Sequence, residues 1–252
     1  MNKMILRLMV EVVVIALWSG AAFGLTPMGS PVPDLSKGQF DAGVDYAYTK
    51  MDVKLNHGFT PGGVTKITMH DAKAHYVASN IGYGLTDNWK LYFRLGGGSV
   101  RGTEGRTISF NSNKGYVVGF GTKAKLFECH GMQWGGLFQA LWAQADGKTK
   151  AGGAYWTSEE DLMEIQLALG PAYQMNEKAV LYGGPFFHIL DGDIVAKRRS
   201  IPGRIKYDID QGSLFGGYIG TAIDVTDNTV FNIEYQHTSA ADAIGLSFAW
   251  RF

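Results

Sequence analysis

The chain is poor in cysteine, charge, proline and long apolar runs, and each shortage removes a class of protein. One cysteine, Cys129, in 252 residues excludes an intramolecular disulfide framework and a multi-cysteine metal site. Charged residues make up 18%, below the roughly one quarter usual in a soluble domain. Lys+Arg and Asp+Glu each number 23, so no basic excess points to nucleic acid. After the first residues, no stretch approaches the ~18 consecutive apolar residues of a membrane-spanning helix. The six histidines are scattered. His70 and His75, five apart, would face opposite ways on a strand, so no metal site and no cofactor is expected. Gly96-Gly97-Gly98 precedes no helical pattern and is not a phosphate loop. What the chain does have is 34 glycines and 13% aromatics against 7 prolines, a balance that suits strands and turns.

The N-terminus has the order of a secretory signal. Lys3 and Arg7 precede an apolar run from Leu8 to Trp18, broken by Glu11, and small residues follow from Ser19 to Ala22. The run is shorter than the ~20 residues a spanning helix requires. Residues 1–24 are therefore expected to be a cleaved signal peptide, which leaves the mature chain near neutral. Residues 25–37, with Pro27, Pro31 and Pro33, read as an extended lead-in.

From residue 38 to 252 the dominant period is two. Phe40, Ala42, Val44, Tyr46 and Tyr48 alternate with polar or small residues, as do Met163 to Leu169 and Phe231 to Tyr235. Turn chemistry interrupts the alternation at Thr86-Asp87-Asn88, Thr226-Asp227-Asn228, Met175 to Lys178 and Glu128 to Met132. Between these lie longer polar stretches, near Val53–His70, Gly102–Lys114, Asp146–Thr157 and Asp191–Arg204, with a short one near Thr238–Asp242. Read as loops, they alternate with the tight turns. The rhythm predicts an all-β, antiparallel up-and-down barrel of about 10 strands, with 8 as the second choice.

Aromatic side chains cluster toward the ends of the proposed strands, where an interfacial girdle of a transmembrane barrel would lie. On the last strand Ile244, Leu246, Phe248, Trp250 and Phe252 share one face, and the sequence stops on Phe252. Here the chain resembles the bacterial outer-membrane β-barrel proteins, small porin-like and opacity-type surface barrels among them. The resemblance implies a Gram-negative outer-membrane location after export, with residues 25–37 as a periplasmic lead-in. It implies contact with outer-membrane lipid and lipopolysaccharide. It also implies that Phe248, Trp250 and Phe252 form the signal read by the barrel assembly machinery.

Three constellations could carry function. The first is an inward polar set: Asp41, Asp45, Asn80, Lys90, Arg94, Lys123, Lys125, Glu164, Gln166, Asn232, Glu234, Gln236 and Arg251. Its charges nearly balance, which favours a paired, space-filling network over an ion-selective pore. A barrel of about ten strands also leaves little lumen. The second is His237 and Ser239, two apart and so on one strand face, by phase the lipid-facing side near the outer rim. The pair resembles the His-x-Ser signature of outer-membrane lipid A deacylases, which would make Ser239 the nucleophile and His237 the base. That family has Asn after the serine, whereas this chain has Ala240, and Asp242 is the one candidate to orient the histidine. The third is Lys197, Arg198, Arg199 and Arg204, a basic run that could pair with lipopolysaccharide phosphates or serve only as a solvated loop. The expectation is a non-enzymatic surface barrel whose outer loops carry its specificity. The alternatives are a narrow channel for small solutes, a lipid A-modifying hydrolase and an adhesin.

Overall fold

The computed structural model describes residues 24–60, 63–104, 108–151, 154–198, 204–210 and 214–252. Residues 1–23, which hold nearly all of the expected signal peptide, and Arg199 lie outside the described residues. Among the described residues there are eleven strand segments. They are β1 (Phe40–Thr60), β2 (Gly63–Thr86), β3 (Trp89–Glu104), β4 (Ile108–Cys129), β5 (Met132–Ala151), β6 (Ala154–Asn176), β7 (Ala179–Arg198), β8 (Arg204–Asp210), β9 (Phe215–Thr226), β10 (Thr229–Thr238) and β11 (Ala241–Arg251).

All pairings are antiparallel, and β11 pairs with β1 over Asp41↔Arg251 to Met51↔Ala241, which closes the sheet. Closure removes every free edge. Both β8 and β9 pair with β7, so they are the outer and inner stretches of a single barrel strand, and the wall has ten strands. The β10–β11 hairpin is short. Beyond its tip β8 pairs directly with β1 through Lys54↔Asp210 to Asn56↔Asp208. A ten-stranded belt thus narrows to an eight-stranded stem.

The four tight turns fall where turn chemistry placed them. At one of them His130 (φ 53°) and Gly131 (φ 73°) both take the left-handed backbone that a two-residue hairpin needs. The four long polar stretches are a correction to the sequence reading. Their described residues are strand, not loop: pairing continues to Thr60↔Gly63, Glu104↔Ile108, Ala151↔Ala154 and Lys197↔Arg204. The short stretch at Thr238–Asp242 is the tight tip between β10 and β11.

Neighbouring residues show which face is inside. Gln166 is 0% exposed and Leu167 is 54% exposed. The same inversion runs round the belt. Asp41, Asp45, Glu164 and Glu234 are buried, while Phe93, Phe120, Ile233 and Phe248 are exposed. An apolar outer band round a polar interior is the pattern of a barrel solvated by lipid.

Candidate functional site

The lumen holds a segment of the chain itself. Residues 24–37 run down the interior as a strap, from the level of Thr49 to the turn end, before entering β1. At the upper end the Thr49 hydroxyl donates to the Leu25 carbonyl (3.4 Å), and at the lower end Lys37 N donates to Asp87 Oδ1 (2.9 Å). The expected periplasmic lead-in is therefore inside the barrel. Three prolines keep the strap extended and unable to pair as a strand. Its backbone donors must then find side-chain acceptors.

Two buried glutamates supply them. Glu234 on β10 accepts from Met28 N (2.9 Å) and Gly29 N (2.8 Å). Glu164 on β6 accepts from Thr26 N (3.3 Å) and the Thr26 hydroxyl (3.2 Å), and it also meets His188 Nε2 (3.1 Å). Gln236 donates to the Thr26 carbonyl (2.7 Å) and Gln139 to its hydroxyl (2.9 Å). Between them the two glutamates accept four of the strap's donors, from Thr26, Met28 and Gly29. On its other side the strap is apolar. Leu25, Met28 and Val32 pack with Leu137, Ala168, Tyr182 and Phe186. Glycine allows the close approach. Gly29 has φ +70°, and a Cβ on Gly135 would lie 2.5 Å from the Pro31 carbonyl oxygen.

The charged residues expected in the lumen are mostly brought together there. Lys90 bonds Asp41 and also Asp34 of the strap (2.9 Å). Arg94 bonds Asp45 (2.8 Å), which also accepts from Asn80 (2.9 Å). Arg251 reaches Asp224 (3.1 Å) and Asp34 (3.7 Å). Lys123 stands over the Tyr92 ring at 5.7 Å. Lys125 keeps the register of Lys123, opposite Gly135, and pairs with exposed Glu128 at the turn end (3.0 Å); the register shift comes after it, before Phe127. Asp34, Gln139 and His188 were missed by sequence reasoning. The signal that could have found the strap is Leu25, Met28, Val32 and Leu35, apolar residues in a proline-rich segment with no surface period.

A cavity of about 510 Å³ remains beside the strap at the turn end, lined by Asp34, Lys90, Arg94, Lys123 and Arg251 among others. None of its lining residues belongs to the apolar clusters beyond. Those clusters fill the interior from the strap's upper end outward. Ala47 and Tyr76 join Val117, Leu141 and Leu162 across the lumen. Further out, Met51, Ala72 and Val100 pack with Ile194. Eight strands enclose about the space that side chains can fill. Strap and stem thus close the axis at successive levels.

On the outer wall His237 Nδ1 lies 2.8 Å from Asp242 Oδ1, so the candidate orienter does meet the histidine. The same carboxylate oxygen accepts from the Tyr235 hydroxyl (2.5 Å). Ser239 sits exposed in the hairpin tip and is not brought onto His237 by any hydrogen bond. Phe248, Trp250 and Phe252 are exposed on the belt's outer face. Of the basic run, Lys197 pairs with Glu159, and Arg204 lies opposite it in the β7–β8 ladder, beside Arg198 at the end of β7. Nearby, Lys206 bonds Asp193 (2.9 Å), which holds its ammonium above the ordinary lysine value. Among the described residues no group of three or more His, Cys, Asp or Glu is placed to hold a metal ion.

No family model and no curated protein sequence matches the chain. Solved structures do. One is the outer membrane protease OmpT from Escherichia coli, with TM-score 0.52 and 11% identity over 85% of this chain and 97% of that one. Another is the translocator domain of the autotransporter NalP from Neisseria meningitidis, with TM-score 0.50 and 10% identity over 99% of this chain and 95% of that one.

Proposed function

Because this chain has the fold of the bacterial outer-membrane β-barrels, we propose that it is a passive, non-conducting surface barrel of the outer membrane. In this reading the turn end faces the periplasm and the eight-stranded stem projects outward. The apolar band anchors the belt in lipid, and the stem carries the binding surface that faces the outside. Phe248, Trp250 and Phe252 serve assembly, and the basic run of Lys197, Arg198 and Arg204 would meet lipopolysaccharide phosphates. The observation that carries the reading is the strap, held to the lumen wall by Glu164 and Glu234. A diffusion channel has no use for a segment bonded across its bore.

Single-channel recording on the refolded mature protein tests this, after a heat-modifiability gel has shown that the barrel is folded. A folded, silent barrel is expected. Steady, reproducible steps would overturn the reading and make solute passage the function.

A further inference from the structure

Where the apolar wall ends, three cations stand in one cross-strand row. Lys50 on β1 is paired in register with Lys73 on β2, and Lys73 with Arg101 on β3. All three are exposed on the outer face. On β1 and β2 they follow the last apolar or aromatic rungs, Tyr46 and Tyr48 before Lys50 and Val77 and His75 before Lys73, and on β3 Arg101 follows Leu95 after the small residues Gly97 and Ser99. The Tyr46 hydroxyl and His75 Nδ1 meet at 3.0 Å, and the Tyr48 and His75 rings are centred 5.1 Å apart, an amphipathic collar just below the row.

Like charges directly opposite one another destabilise a sheet, so such a row calls for an anion. The carboxylates at hand serve Lys50 or lie engaged elsewhere, and none reaches Lys73 or Arg101. Asp71 pairs with Lys50 (2.7 Å). Asp52 is held by His70 (3.2 Å) and by Asp71 N (3.0 Å), and Asp242 by His237 and Tyr235. Lys73 and Arg101 form no ion pair among the described residues.

We propose that Lys73 and Arg101 bind the phosphate of an outer-leaflet lipid headgroup. Directly opposed side chains start about 5 Å apart, a spacing that one phosphate can bridge. The guanidinium fork takes two of its oxygens, and the lysine supplies a point charge to a third. A lipid-borne phosphate fits better than a free one, because the row lies where hydrocarbon gives way to headgroups. The inference rests on the membrane reading above and adds a site distinct from the β7–β8 basic run.

The test compares the refolded protein in phosphatidylcholine vesicles doped with bisphosphorylated lipid A or with its dephosphorylated form. The thermal midpoint should rise with the phosphorylated lipid alone. A K73Q/R101Q variant should bind that lipid about tenfold more weakly, as expected when both exposed charged donors are lost. An equal response of the wild-type protein to both lipids would overturn the site even if the variant failed to fold. So would inorganic phosphate reproducing the shift in detergent. Failure to enter vesicles at all would instead remove the membrane reading on which the site depends.

Discussion

Glu234 shows how much one side chain decides. It lies inside a ten-stranded wall and accepts two consecutive backbone N–H groups from a segment more than 200 residues away in sequence. Replacing it with glutamine keeps the shape but aims an amide donor at one of those N–H groups, so one donor loses its acceptor and the other loses the ionic part of its bond. Glu234→Gln should lower stability by about 2 kcal/mol, the scale of a hydrogen bond to a charged group together with an unsatisfied buried donor. Denaturant titration in detergent measures this, and an unchanged midpoint would mean that Glu234 does not hold the strap. The inward position of Glu234 was legible in the sequence, as were those of Asp41, Asp45, Lys90, Arg94 and Glu164, because period two is unbroken around them. Beyond Lys125 the phase was not legible: a local register shift leaves Leu126 and Phe127 both exposed, and it is invisible to a rule that counts residues in pairs.

Among the elements, the strap is the one that periodicity could not find. It has no period to read, since extended proline-rich chain puts side chains wherever the lumen has room, and its partners are scattered over β3, β5, β6 and β10. The stem strands were missed for another reason. In Asp193-Ile194-Val195-Ala196-Lys197 the inward residues are Ile194 and Ala196, but the outer face meets water and the inner ones are often small, so the hydrophobic contrast is weak. The strap's place yields a direct prediction. Ala168 is 3% exposed and packs with the strap. In a Cys129→Ser background, Ala168→Cys should resist a maleimide in the full mature chain and react once residues 25–36 are deleted. Reaction in both would mean that the strap leaves the lumen in solution.

For the molecule as a whole, the consequence of narrowing from ten strands to eight is that closure is achieved twice. The belt is wide enough to need a strap, and the stem is narrow enough to be filled by its own side chains. Two barriers in series behave differently from one. Deleting the strap leaves the stem packing of Met51, Ala72 and Val100 with Ile194 in place, and shortening the four stem hairpins leaves the strap bonded across the belt. Neither change alone should open the axis. The belt should still fold after both, because its β1–β11 closure and lipid-facing band lie below the stem. Bilayer recordings on the four proteins would then give silence for the mature chain and for each single deletion, and steps only when strap and inner stem packing are both removed. Steps from the strap deletion alone would show that the stem is no barrier and that a single gate, the strap, separates the two sides.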